Sequence, residues 1–193
     1  MSEAIFLVSG YKNSGKTTLV CKLIRLLREQ GRTVGTIKHD AHDFELDLEG
    51  KDTWQHRQAG AEAVAITSDQ GGRTFIMEQR SLELAELIAR LSHLDVVVAE
   101  GFKHADYPKI VIVREEAHLP LLSQVRQAAV IATWLPSETV EPHASGVPVV
   151  SIDRTEELLE LVMEKAKEHA AAGPSSASNS RTSQPSTGGD THA

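Results

Sequence analysis

Short apolar runs alternate with helical periodicity along most of the chain. Ile5 to Val8 is apolar and ends at Gly10, the pattern of a strand buried on both faces. Leu19, Val20, Leu23, Ile24, Leu26 and Leu27 follow at helical spacing, with Lys22, Arg25 and Arg28 on the other face and Gly31 as a stop. Thr33 to Ile37 reads as a second strand ending at Lys38, His39 and Asp40. Over residues 43–49, Asp43, Glu45, Asp47 and Glu49 alternate with Phe44, Leu46 and Leu48. That period of two predicts a half-buried edge strand or extended β arm with a solvated acidic face. Asp52 or Thr53 is a candidate cap for a short helix through Gln58, which Gly60 ends. Ala63 to Thr67 and Thr74 to Met77, on either side of Gly71-Gly72, predict a hairpin. Ser81 is the predicted cap of a helix carrying Leu82, Leu84, Ala85, Leu87, Ile88 and Leu91. Asp95 to Ala99 is the most apolar strand and runs into Glu100-Gly101. Further strands are expected over Lys109 to Val113, Ala128 to Ala132 and Val147 to Ile152. Asp153 or Thr155 opens a last helix through about His169.

Strands alternating with helices predict an α/β fold with a largely parallel, mixed central sheet flanked by helices, plus the extended β arm. There is no internal repeat. From Gly173 onward the chain is Ser, Thr, Gly, Pro, Asn and Gln, with no apolar residue larger than alanine. Such a segment cannot bury enough surface to offset its ordering entropy. The expected organisation is one nucleotide-binding domain over 1–172 and a disordered tail over 173–193.

Composition narrows the partners. The net charge of −7 and the absence of a basic stripe argue against duplex nucleic acid. One cysteine, Cys21, excludes an intramolecular disulfide and a cysteine-based zinc site, and fits a reducing cytoplasm. No apolar stretch approaches the length of a membrane span, and no basic region precedes the first apolar run, so neither a membrane anchor nor a signal peptide is expected.

Gly10-Tyr11-Lys12-Asn13-Ser14-Gly15-Lys16-Thr17 matches G-x-x-x-x-G-K-[ST] between an apolar strand and an amphipathic helix, the context of a P-loop NTPase. The glycines allow successive N–H groups to face inward as an anion nest, and the helix start at Lys16 to Thr18 adds its positive dipole end. Lys16 is expected to reach the β- and γ-phosphates and the Thr17 hydroxyl to bind Mg²⁺. Glu100 ends an apolar strand where a Mg²⁺ partner is needed; Asp95 opens that strand and is the poorer candidate. Asp40 is a candidate for holding a metal-bound water or orienting the attacking water. His39 and His42 are weaker candidates for a transition-metal site. Cys21 reads as a buried structural thiol, and Trp54 and Trp134 read as packing residues rather than ligand platforms. The guanine-reading motif Asn/Thr-Lys-x-Asp is absent, the strand that would carry it ending in Ala132-Thr133-Trp134. Chemistry alone therefore does not choose GTP over ATP. The deviant loop of MinD-like ATPases has lysine directly after the first glycine, where this chain has Tyr11.

Several motifs together resemble the molybdopterin-guanine dinucleotide biosynthesis adaptor (MobB) family. They are Gly10 to Thr17, Thr36-Ile37-Lys38-His39-Asp40-Ala41-His42, Asp47 with Gly50-Lys51-Asp52-Thr53, Ala59-Gly60-Ala61, Glu100-Gly101-Phe102-Lys103 and Pro108-Lys109-Ile110. The resemblance covers residues 3 to 165. It implies a GTP-binding protein with weak intrinsic hydrolysis, often a homodimer. Its implied partner is the guanylyltransferase that attaches a guanine nucleotide to molybdopterin, with molybdopterin itself a further candidate ligand. Carried over by position, Gly10 to Thr17 bind phosphates, and Thr17, Asp40 and Glu100 surround Mg²⁺. The enzyme-class alternative is a P-loop small-molecule kinase or ATP-dependent ligase, since dethiobiotin synthetase is similar in placing an acidic residue and glycine after the corresponding strand. Nickel-insertion GTPases carry cysteine or histidine metal motifs and a Lys-x-Asp base reader that this chain lacks.

Overall fold

The computed structural model of the protein describes residues 2–40 and 47–172. His42, residues 43–46 of the expected β arm and the 173–193 tail lie outside them. Eight strands are described: β1 Ala4–Gly10, β2 Val34–Lys38, β3 Ala63–Ser68, β4 Arg73–Glu78, β5 Val96–Glu100, β6 Lys109–Val113, β7 Ala128–Thr133 and β8 Val149–Ser151. Five α-helices join them: α1 Lys16–Glu29, α2 Asp52–Gln58, α3 Leu84–Arg90, α4 Ser137–Val140 and α5 Thr155–Ala172. Two 3₁₀ segments, Glu116–Ser123 and Glu141–His143, complete the set.

Six strands form one sheet in the order β2-β5-β1-β6-β7-β8, and every pairing in it is parallel. A parallel sheet must be covered on both faces, which is why β5 and β6 are buried at every position. On one face Phe6, Val8, Val98 and Ile112 pack under Leu19, Leu23 and Leu27 of α1 and Leu158 and Val162 of α5. On the other, Leu7, Val97 and Ala99 meet Leu84 and Ile88 of α3. Val113 and Ile131 pack with Val140 and Ala144 at the far edge. The expected α/β fold with a largely parallel sheet is therefore present, the described sheet having no antiparallel member, and β1 sits inside it with β5 on one side and β6 on the other.

The antiparallel element is separate. β3 and β4 pair as a two-stranded hairpin, as the Gly71-Gly72 signal predicts, and pair with no strand of the large sheet. Ile66, Phe75 and Ile76 on this hairpin are largely exposed.

Several local expectations need correction. Among the described residues of the 43–49 stretch, Asp47 and Glu49 lie in a bend and turn rather than a strand. Asp47 accepts from the Leu48 N–H and the Thr53 hydroxyl, and packs beside Arg57. Thr53 therefore caps nothing; α2 begins after Lys51. The cap of α3 is Glu83 rather than Ser81, because Glu83 and Glu86 satisfy each other's backbone N–H groups in a reciprocal capping box. Cys21 is exposed rather than buried. It lies two positions from both Leu19 and Leu23, about 200° around the helix from each.

Lys109 opens β6 with its side chain fully buried. Its ammonium donates to the carbonyls of Lys103 and Ala105, closing the Gly101–Pro108 loop over the strand end. Burial pushes this ammonium down to about 8 from 10.5, against a smaller attraction from Asp106. Between those values the unfolded chain binds more protons than the folded one, so this group makes folding more favourable as pH rises from about 8 towards 10.5. Lys109→Met should remove that component. Denaturant titrations at the two ends of the window should show wild type gaining more stability with pH than the variant. Equal gains would refute the assignment.

Candidate functional site

The site is built where three adjacent strands end. β1 stops at Gly10, and the loop turns through Asn13 (φ 61°) and Gly15 (φ 102°) before α1 begins at Lys16. A Cβ on Gly10 would come within 2.5 Å of Ser14 Oγ, so the turn closes only with glycine there. The first-turn N–H groups of α1, on Lys16, Thr17 and Thr18, have no acceptor within the helix and are free for an anion. The Ser14 hydroxyl is buried without a partner.

Glu100, at the end of β5, is nearly buried and in register with Val8 of β1 and Lys38 of β2. The Thr17 hydroxyl lies 3.1 Å from each of its carboxylate oxygens and donates to them. Gly101 takes φ 100°, and a Cβ there would come within 3.2 Å of His39 Cβ. This close approach lets the ends of β2 and β5 meet, with His39 N–H donating to Glu100 O, while Gly101 N–H donates to Val8 O of β1, both at 3.0 Å. Ser9 Oγ–H donates to Gly101 O at 2.9 Å, fixing the β5 end against β1.

An open cavity of about 660 Å³ lies over these ends. Lys12, Asn13, Gly15, Lys16, Thr17 and Thr18 form its loop side; Lys38, His39, Asp40 and Glu100 form the β2–β5 side. Lys16 Nζ donates to Gly10 O at 3.0 Å and Tyr11 O at 2.8 Å, bridging the loop. Burial lowers its pKa, with the Glu100 carboxylate pulling the other way and Lys38 adding to the lowering. Asp40 Oδ2 stands 3.9 Å from Lys38 Nζ at the rim. Asp95 lies at the opposite end of β5, where it accepts from the backbone and hydroxyl of Thr33. Tyr11 does not line the cavity and packs against His118, with ring centroids 5.0 Å apart and the planes tilted at 59°. Among the described residues no group of three or more His, Cys, Asp and Glu side chains is placed to hold a metal ion; the His39 ring lies 4.9 Å from that of Phe102, tilted at 52°, and His42 is outside the described residues.

The structure adds residues that the motif did not supply. Arg114, one position beyond β6, lines the cavity and donates to Asn13 O. Trp134, one position beyond β7, donates its Nε1–H to Ser14 O at 3.1 Å. The signal was the one used for Glu100: each follows an apolar strand directly and so stands at the carboxyl edge of the sheet. Arg114 reaches the cavity, whereas Lys109 is buried under the loop that it ties down.

The donors fit the groups expected here. An anion nest, a lysine and a helix start suit phosphates. A hydroxyl and a carboxylate converging on one point suit a hard divalent cation that keeps waters in its shell. A second open cavity, about 630 Å³, lies between the Asp47–Thr53 turn and the hairpin and shares none of these groups.

Residues 5–134 match the family model of molybdopterin guanine dinucleotide synthesis protein B, MobB. The probable molybdopterin-guanine dinucleotide biosynthesis adapter protein of Bacillus subtilis (strain 168) is 37% identical over 150 residues, 76% of this chain and 84% of that protein. The adapter protein of Escherichia coli (strain K12) is 39% identical over 117 residues, 58% of this chain and 67% of that one. The crystal structure of Bacillus subtilis MobB is similar with a TM-score of 0.68 at 29% identity, covering 86% of this chain and 99% of that one. With the phosphate loop, the Glu100 strand and the hairpin inside one continuous family match, this chain belongs to the MobB family.

Proposed function

We propose that this protein is a GTP-binding adaptor in molybdenum cofactor biosynthesis, serving the guanylyltransferase that attaches a guanine nucleotide to molybdopterin. The observation that carries the nucleotide part is the convergence of the Gly10–Thr17 loop, the Thr17 hydroxyl and Glu100 on one cavity. The pathway part rests on family membership and on the adapter names of its relatives. In this reading Gly10 to Thr18 hold the phosphates. A Mg²⁺ beside Thr17 and Glu100, with Asp40 near its outer shell, would neutralise phosphate charge. The exposed apolar hairpin supports self-association as a homodimer, because an isolated two-stranded sheet is marginal in water. No described helix is long and apolar enough to cross a membrane, which fits action in the cytoplasm.

Intrinsic hydrolysis is slow in this reading. Fast turnover needs a water-positioning group and an arginine at the γ-phosphate, the latter worth roughly 10³ to 10⁵ in rate. Among the described residues Asp40 is the one acidic residue besides Glu100 in the cavity wall, and Arg114 is held against Asn13 O and Trp134. Single-turnover GTP hydrolysis by the isolated protein should be slow, and co-purification from extract should recover the guanylyltransferase more fully with GTP than without. Rapid transfer of the γ-phosphate to a small acceptor, with no partner protein, would overturn the adaptor reading. It would favour a small-molecule kinase or ligase resembling dethiobiotin synthetase.

A further inference from the structure

The geometry points to Trp134 as the surface on which the base of a bound purine nucleotide stacks, an inference that rests on the nucleotide reading above. The metal end of the site is set by Thr17 and Glu100, on the β5 side of β1. A triphosphate laid along the loop with its γ-phosphate there must send its nucleoside the other way, past Gly15 and Thr18 towards β6 and β7. Trp134 stands on that side. Its backbone N–H donates to Val113 O at 3.1 Å, which seats it at the end of β7 next to β6.

The indole is fixed yet open. Its Nε1–H is held by Ser14 O, and its Cζ2, Nε1 and Cε2 atoms lie 3.4 to 3.9 Å from where a Cβ of Gly15 would stand. No side chain separates the ring from the loop. The Arg114 guanidinium sits over the ring at 5.6 Å from its centroid, a cation–π contact that further limits its motion. Yet 51% of Trp134 is exposed. Among the described residues the other exposed large apolar side chains, Leu48, Ile66, Phe75 and Ile76, all belong to the hairpin and the turn beside it. An aromatic ring held rigid and left in water beside a phosphate loop is prepared for a planar apolar ligand, and the part of a nucleotide that reaches this far is the base.

Stacking also accounts for the missing base motif. The end of β7 and the place directly after it hold Thr133-Trp134-Leu135, where a hydrogen-bonding base reader would stand. Every base has a π-face, so a stacking platform selects ring area rather than a donor and acceptor pattern. Trp134 therefore favours purines over pyrimidines and leaves the choice between guanine and adenine to other groups.

The test is calorimetric titration of wild type, Trp134→Ala and Trp134→Phe with GTP, ATP and inorganic tripolyphosphate in the presence of Mg²⁺. Trp134→Ala should weaken GTP and ATP by about 5- to 150-fold and leave tripolyphosphate within about two-fold. Trp134→Phe, which keeps a ring but not the Nε1–H bond, should recover most of the loss. Undiminished GTP affinity in Trp134→Ala would overturn the proposal. So would an equal loss for tripolyphosphate, which would make Trp134 a buttress of the loop. If wild type binds tripolyphosphate but gains nothing from a base, the platform alone fails. If it binds neither GTP nor tripolyphosphate, the nucleotide reading fails and the platform with it.

Discussion

Lys16→Ala is expected to lower GTP affinity by about 100-fold or more while leaving the fold in place. The ammonium is half-buried in the cavity wall, and its present partners are two carbonyls of its own loop. Those are neutral acceptors, and burial already weighs against its charge. A triphosphate would replace them with anionic oxygens, making charge-assisted bonds worth about 1.5 to 3 kcal/mol each. The large effect therefore falls on the bound state. The unliganded protein loses two hydrogen bonds at the surface of a loop, and none of the core beneath it; melting should fall by a few degrees at most. Calorimetric titration with GTP, alongside thermal melting, separates the two. Undiminished affinity would mean that the loop is not the binding site.

Much of this arrangement was legible in the chain because local pattern and tertiary role agree there. Gly10 to Thr17 sits between a run too apolar for a surface strand and a helix with one apolar stripe, and each of these dictates its own geometry. The hairpin was legible for the same reason, with Gly71-Gly72 between two β-prone runs. Failures came where a neighbour competed. Ser81 is an ordinary cap residue, but Glu83 and Glu86 satisfy each other's backbone and win the helix start. Pro148 lacks an N–H, and β8 begins only after it, shorter than its apolar run suggests. Cys21 is exposed because helical phase alone places it opposite Leu19 and Leu23.

The site divides in the same way. Thr17 and Glu100 could be paired from sequence, since one opens the helix after the phosphate loop and the other ends an apolar strand, each with a defined chemical role. That Arg114 and Trp134 stand at the carboxyl edge of the sheet could be read; that they meet the phosphate loop could not, because it depends on the order β1-β6-β7 across the sheet. Nothing in the spacing between residues 15 and 134 encodes that neighbourhood. The indole's bond to Ser14 O is a consequence of sheet order, not of local pattern.

Glu100→Gln should separate the metal from the nucleotide. The amide has nearly the shape of the carboxylate and can still accept from the Thr17 hydroxyl, so the strand end and loop keep their positions. What changes is one negative charge in a nearly buried position. At about 5 Å and an effective dielectric near 20, a unit charge pair is worth roughly 3 kcal/mol. With Mg²⁺ present that charge attracts the cation; without Mg²⁺ it repels the phosphates. The substitution should therefore have opposite signs in the two conditions. GTP affinity in saturating Mg²⁺ should drop by about ten-fold or more, and affinity in a chelator should stay the same or rise. A Mg²⁺ titration of GTP binding by wild type and variant reads both limits. Superimposable curves would remove Glu100 from the site, and a parallel loss in both conditions would assign it to holding the loop through Thr17 rather than to the metal.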